Sequence, residues 1–87
     1  MSETAYQRES REWIRSHYSV NPYPGRRVVY TGDRYNRRQL GTVLYCEKGH
    51  VVIRLDGQDD SEVGTYHPIW ELSYLGPETE ALLRRLP

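Results

Sequence analysis

The chain has 87 residues, enough for one small domain, and its shares of 37% hydrophobic and 28% charged residues exclude full disorder. Its single cysteine excludes an internal disulfide and a zinc site built from several thiolates, and no apolar run approaches the roughly 18 residues that span a bilayer. The net charge is zero, but residues 1–46 carry eight arginines against four acidic residues, and residues 47–87 carry four basic residues against eight acidic ones. This division favours association with a charged partner or a second copy, unless the two signs intermix in space.

Residues 2–18 predict an amphipathic helix. The spacing of Thr4 and Gln7 is that of a capping box at the start of a helix. The helix either covers one end of the sheet predicted below, which is the interpretation we favour, or docks a partner protein. At helical spacing, four large side chains fall near one stripe: Tyr6, Trp13, Ile14 and Tyr18.

The rest of the chain predicts five short strands and a second helix. A stiff connector with two prolines, residues 21–25, ends the first helix. The third strand has the alternation of a half-buried strand, since Val51, Ile53 and Leu55 share one face. Residues 67–70 predict a tight 3₁₀-like turn, and residues 78–86 predict a short helix with an acidic first turn. The five strands are expected at residues 26–31, 40–46, 50–56, 62–66 and 71–75.

Five short strands make a poor open sheet when one face is wet and nothing covers it. Curvature that closes the sheet removes its exposed edges, and glycines stand where such a sheet must turn or bulge. We therefore expect a mainly β protein, a five-stranded small barrel with an N-terminal amphipathic helix and a short C-terminal helix. Its organisation is helix and connector over residues 1–24, barrel over residues 25–75, and short helix over residues 76–87.

Four motifs of the middle segment follow a known pattern. They are Gly25-x-x-Val28-x-Tyr30-x-Gly32, Gly41-Thr42-Val43, Val51-Val52-Ile53-x-Leu55-Asp56-Gly57 and Trp70-Glu71-Leu72-x-x-Leu75. Over residues 25–75 this pattern resembles the SH3-like small barrels, and within that group the KOW, Tudor and Mib/Herc2-type modules. The resemblance implies a module that binds peptides, modified side chains, RNA or DNA through the loops and aromatic rings of one rim. Many such barrels are scaffolding in larger assemblies, including phage and ribonucleoprotein particles.

An arginine-rich loop follows the first predicted strand. Arginines beside a tyrosine suit phosphate and base contacts, or bidentate pairs with an acidic protein patch, or a solvated loop. Because the pI of 6.8 disfavours a dedicated nucleic-acid binder, we predict a non-catalytic adaptor of phage or bacterial type that contacts a protein partner or a second copy, with weak nucleic-acid binding as the alternative. The predicted partner-binding residues are Arg34, Tyr35, Arg37, Arg38, Tyr6, Trp13 and Ile14. The nucleic-acid alternative uses Arg26, Arg27, Arg34, Arg37 and Arg38.

Two further clusters each have a more economical explanation. Facing aromatic rings can hold a methylated ammonium, but a chain without phenylalanine also needs tyrosine and tryptophan for core volume. Clustered carboxylates can bind Ca²⁺ or Mg²⁺, but their spacing here lacks the EF-hand order and favours an exposed turn. The aromatic set is Tyr30, Tyr45, Tyr66, Trp70 and Tyr74, and the acidic set is Asp56, Asp59, Asp60 and Glu62.

Catalysis has one candidate pair. Cys46 and His50 flank a predicted hairpin turn, yet a cysteine on a strand is usually buried and inert, and no third group orients the histidine. The other histidines, His17 and His67, belong to different predicted elements. We therefore expect no enzyme, no cofactor and no metal. The start of the chain lacks the basic region and apolar run of a secretory signal, so we also expect a cytoplasmic protein without membrane contact.

Overall fold

A computed structural model describes residues 3–32 and 37–76. They form one helix, five strands and a short 3₁₀ helix: α1 (Ala5–Tyr18), β1 (Arg27–Tyr30), β2 (Gln39–Glu47), β3 (His50–Leu55), the 3₁₀ helix Asp60–Glu62, β4 (Gly64–Tyr66) and β5 (Leu72–Tyr74). The prediction of a mainly β protein with an N-terminal helix is confirmed. The predicted C-terminal helix lies outside the described residues. Within the described ranges, no helix has the length and apolar character needed to cross a membrane.

The N-terminal helix begins with the predicted capping box. The Thr4 hydroxyl accepts the backbone N–H of Gln7 at 3.1 Å, and the Gln7 side chain accepts the N–H of Thr4 at 3.0 Å. Just before the helix, the Glu3 carboxylate accepts two hydrogen bonds from Arg11, at 2.7 and 3.0 Å, which hold the pKa of Glu3 below its usual value. Ser19 ends the helix with a left-handed backbone, φ 59°.

The strands form one antiparallel sheet in the order β4-β3-β2-β1-β5. The first four strands follow one another as a meander, and the fifth returns to pair with β1. Across the described residues no pairing joins β4 to β5, so the sheet is open by its hydrogen bonds.

Two segments differ in detail from their predictions. The fourth strand begins at Gly64 and not at Glu62, because Glu62 ends a 3₁₀ helix in which its N–H bonds back to the Asp59 carbonyl at 3.0 Å. Residues 67–70, predicted as a tight 3₁₀-like turn, form bends and a turn without a 3₁₀ helix. There the side chain of His67 takes over the N–H groups of Ile69 and Trp70, which a 3₁₀ turn bonds to carbonyls.

A β-bulge in β2 decides which side chains enter the core. Val43 pairs with Ile53 and Tyr45 pairs with Val52, so Leu44 is the extra residue. Regular alternation from Val43 would bury Tyr45, but the extra residue reverses the alternation and buries Cys46. Tyr45 is only partly buried as a result.

The core lies between α1 and a strongly curved sheet. In a flat sheet, β4 and β5 would lie roughly 19 Å apart, and the five residues that join them, with bends, cover that distance only near full extension. The rings of Tyr30 on β1 and Tyr66 on β4 are in contact, with centroids 4.8 Å apart, although two strands separate them in the sheet. The sheet therefore curls around its core. The buried core residues are Ile14, Val28, Val43, Cys46, Val51, Ile53, Leu55 and Leu72.

Candidate functional site

Five rings from two distant parts of the chain form a continuous row. Their order is His17, Trp13, Tyr18, His67 and Trp70, and we call this set the aromatic row. The two end pairs are stacked with centroids 3.9 Å apart, and the inner contacts are edge-on at 6.0 and 5.2 Å. The first three rings come from α1 and the last two from the β4–β5 connection, so the row exists only when helix and sheet are docked.

The row presents much of its surface to solvent. Trp70 is 69% exposed and Trp13 is 45% exposed, and Ile69 beside the row is 44% exposed. Large apolar side chains that stay exposed as a group mark interaction surfaces more often than singly scattered ones do. The described surface therefore has an apolar patch that core packing does not account for.

The predicted helix stripe is divided between core and surface. Ile14 is fully buried, so its side chain belongs to the core and is not at the surface. Tyr6 is 54% exposed and shares a cleft of about 360 Å³ with Trp13, between α1 and the β2–β3 turn. Ser10, not one of the predicted stripe residues, is the other buried residue of α1.

A contact between two small residues fixes the rotation of α1. The Ser10 hydroxyl accepts the N–H of Gly49 at 3.1 Å. Gly49 follows Lys48 in the two-residue β2–β3 turn, where both residues have positive φ, 51° for Lys48 and 75° for Gly49. This close approach places the ring of Trp13 directly over Gly49. The packing of α1 against the β2–β3 turn therefore determines which aromatic ring of the helix faces solvent.

The connection that carries Trp70 is fixed at both ends. Near its start, the Pro68 carbonyl accepts the hydroxyl of Tyr74 at 2.8 Å, and burial raises the pKa of that phenol. At its end, the Glu71 carbonyl accepts the N–H of Thr31 at 2.8 Å. Between these anchors, Nδ1 of His67 lies 3.2 Å from the backbone nitrogen of Ile69 and 3.3 Å from that of Trp70. The imidazole therefore caps the turn that presents Trp70.

Two of the five predicted arginines, Arg26 and Arg27, make hydrogen bonds within the fold. Arg27 donates to both carboxylate oxygens of Asp56, at 2.8 and 2.6 Å, and to the Thr42 hydroxyl at 2.7 Å. Arg26 donates to the Asn21 carbonyl at 3.0 Å and lies between two tyrosine rings, Tyr23 and Tyr74. Arg37 and Arg38 are exposed. Arg34 and Tyr35 lie outside the described residues.

Three members of the aromatic set and two of the acidic set have structural roles. Tyr30, Tyr66 and Tyr74 pack against the core, whereas Tyr45 lines a separate cleft and Trp70 belongs to the aromatic row, so the five rings do not form a cage. In the acidic segment Asp56 pairs with Arg27, and Asp60 with Arg54 at 2.9 Å. Within residues 3–32 and 37–76, no three metal-binding side chains come together.

Cys46 and His50 lie on different sides of the sheet. The thiol of Cys46 is buried, with its sulfur 3.5 Å from the Pro22 carbonyl oxygen, and burial raises its pKa to about 12. His50 is exposed, and its Nδ1 lies 3.0 Å from the Lys48 carbonyl oxygen. The predicted pair is therefore not a nucleophile with its base in this conformation.

We expect the Cys46 thiol to resist alkylation by iodoacetamide at pH 8 while the protein is folded. A thiol pKa of about 12 leaves a thiolate fraction on the order of 10⁻⁴ at that pH, and the thiolate is the reactive form. Intact-mass measurement should show one adduct only after unfolding in guanidinium. Labelling of the folded chain at the rate of the unfolded chain would contradict the burial of this side chain.

Comparison of the chain with models of known families, with curated proteins and with solved structures found no match. The site must therefore be judged on its own geometry. Sequence reasoning placed Trp70 and His67 in a turn but missed that the turn joins the helix aromatics. The available signal was a His-Pro pair followed by two large hydrophobic residues, an unusual composition for a solvated turn.

Proposed function

We propose that this chain is a non-catalytic binding module that contacts a protein partner through the aromatic row. The observation that carries the proposal is the exposure of Trp70 and Trp13 at 69% and 45% within one continuous row of contacting rings. Tryptophan is enriched among the residues that dominate binding energy at protein interfaces. A preformed row of rings also loses little conformational freedom on binding, which favours affinity.

We propose further that the fold is an SH3-like small barrel. Three features support this barrel type: the four-strand meander, the return of β5 to β1, and the curvature that brings Tyr30 and Tyr66 into contact. In such a barrel the interior is filled by its own side chains, which leaves binding to the rim and the connections. The aromatic row lies on one such connection, residues 67–71, and on the adjoining helix.

The charges near the row favour a protein over a nucleic acid. The cleft beside Trp13 has one acidic and one basic residue, Glu9 and Lys48, and Glu71 follows Trp70 in the chain. A nucleic-acid surface needs several cations that track phosphates. Of the arginines predicted for that role, Arg26 and Arg27 are engaged inside the fold. The phage or bacterial adaptor role and the cytoplasmic location remain part of this proposal.

A cross-linking experiment with two matched variants tests the function. A photoreactive phenylalanine derivative at position 69, which is exposed beside the row, should trap the partner in an extract of the native host. The trapped protein, once purified, should bind the parent chain and an Arg37→Ala/Arg38→Ala variant equally. It should bind Trp70→Ala at least roughly 30-fold more weakly, the effect of losing a dominant interface residue.

Two results would contradict the proposal. One is a partner that binds Trp70→Ala as tightly as the parent chain. The other is recovery of nucleic acid whose retention falls with rising salt and is lost in the double arginine variant, which would favour the nucleic-acid alternative. Circular dichroism of each variant shows whether its fold is intact, so that loss of binding is attributed to the surface.

A further inference from the structure

We propose that His67 is a pH-operated switch for the aromatic row: its neutral imidazole holds Trp70 in the presented position, and its protonation releases the turn. The switch itself depends only on the geometry of residues 67–71. Its effect on partner binding rests on the function proposed above.

The geometry of the imidazole sets its protonation state. Nδ1 of His67 lies within hydrogen-bond distance of two backbone N–H groups, those of Ile69 and Trp70, at 3.2 and 3.3 Å. Both groups are donors, so Nδ1 must offer its lone pair and the ring proton must be on Nε2. In an imidazolium both nitrogens carry protons and neither accepts. Protonation therefore replaces two attractive contacts with two donor–donor contacts.

The effect is local because other contacts hold the ends of the segment. The Tyr74 hydroxyl bonds to the Pro68 carbonyl, and Thr31 bonds to the Glu71 carbonyl, and neither bond involves the imidazole. Pro68 is buried and has no N–H, so the cap falls on the two residues that follow it. Trp70 stacks on the ring that caps its own N–H, with centroids 3.9 Å apart and planes 9° apart. Loss of the cap thus releases the backbone N–H groups of Ile69 and Trp70, whereas the stacking of the two rings does not depend on the cap.

Aromatic rings contact the His67 imidazole from two elements: the phenol of Tyr18 from α1 and the indole of Trp70 from the β4–β5 connection. Further along the row lie Trp13 and the imidazole of His17. In the described part of the chain no ion pair includes His67. The cap therefore stabilises the turn while the ring is neutral, and the turn loses this stabilisation when the ring is protonated.

The other two histidines make a different contact and serve as internal controls. Nδ1 of His17 lies 2.8 Å from the Trp13 carbonyl oxygen, and Nδ1 of His50 lies 3.0 Å from that of Lys48. A carbonyl oxygen accepts a proton that either form of the ring can donate. Among the three histidines, only His67 accepts backbone N–H groups at a nitrogen that protonation would block.

The test follows the backbone amides of Ile69 and Trp70 by NMR between pH 8 and pH 5. In the parent chain the two amide resonances should shift together with the His67 ring, whose Nδ1 should have the ¹⁵N shift of an unprotonated nitrogen at pH 8. His67→Asn places a non-titrating oxygen where Nδ1 lies, as in an Asx-turn, so both amides should stop responding to pH. His67→Phe keeps a ring but no acceptor, so both amides should have their low-pH shifts throughout. In the His17→Asn variant, the amides of Ile69 and Trp70 should respond to pH as they do in the parent chain.

Three results would overturn the switch. They are a proton on Nδ1 of His67 at pH 8, a pH response of the two amides that survives in His67→Asn, and amides of the parent chain that do not follow the His67 ring. These measurements use the chain alone, so they do not depend on a partner. With the cross-linked partner in hand, binding to the parent should be roughly tenfold weaker when His67 is protonated than when it is neutral, the effect of losing two ordinary hydrogen bonds, and should stay constant with pH for His67→Asn. If Trp70→Ala keeps full binding while the amides titrate as expected, the proposed function fails and the switch stands.

Discussion

Replacing Ile14 with alanine should lower the melting temperature by at least roughly 8 °C. Ile14 is fully buried and lies in the same cluster as Val43 and Cys46 of β2, against which α1 packs. Truncation of a buried isoleucine to alanine costs about 2–5 kcal/mol, since it removes apolar contacts and leaves a cavity. In a domain of this size each 1 kcal/mol shifts the melting temperature by roughly 4–8 °C. Thermal unfolding followed by circular dichroism measures the effect.

Two further substitutions in α1 serve as controls for the Ile14→Ala result. Ile14→Val removes one methylene and should cost about 0.5–1.5 kcal/mol, whereas Glu12→Ala, on the exposed side of the same turn, should change stability by less than about 0.5 kcal/mol. A melting temperature of Ile14→Ala within about 3 °C of the parent would mean that the helix is not part of the core. The expected result instead makes α1 and the sheet one folding unit, so residues 25–75 alone should be unstable.

Local elements were predictable because their causes are local. The capping box needs only Thr4 and Gln7, and the β2–β3 turn needs only a glycine after a polar residue. The positions of the strands followed from alternation and from glycines. The bulge at Leu44 was not predictable, because it depends on how β2 pairs with β3, and it decides that Cys46 is buried in place of Tyr45.

The site was less predictable than the fold because it joins residues far apart in sequence. Helical spacing placed Trp13 and Ile14 on one stripe but could not say which of them the sheet would cover. Arg27 appeared available for a ligand because Asp56, its partner, is 29 positions away. Trp70 met the helix aromatics only through Tyr18 and the curvature of the sheet. In each case tertiary packing, not local preference, assigns the side chain its role.

Replacing Gly49 with alanine should cost about 2 kcal/mol, and Gly57→Ala about 1 kcal/mol. Both glycines have positive φ, 75° for Gly49 and 91° for Gly57, so an added Cβ strains the backbone by about 1 kcal/mol at either position. Only Gly49 has a neighbour in the way, since a Cβ there would lie 3.1 Å from Cζ3 of Trp13, whereas nothing lies within 4 Å of a Cβ on Gly57. At Gly49, overpacking of the added Cβ against the Trp13 ring accounts for the remaining cost of about 1 kcal/mol. Urea unfolding of the two variants measures the difference.

A double-mutant cycle with Trp13→Ala identifies the origin of that difference. If the indole is what Gly49→Ala displaces, the substitution should cost only the backbone strain in the Trp13→Ala background, about 1 kcal/mol, as at Gly57. An unchanged cost of about 2 kcal/mol would assign the effect to the turn itself, or to the bond between Ser10 and the Gly49 N–H. Coupling between these positions would mean that the hairpin turn sets the position of Trp13. The aromatic row then depends on a residue without a side chain, because only glycine lets α1 approach closely enough to bring Tyr18 and Trp13 beside His67 and Trp70.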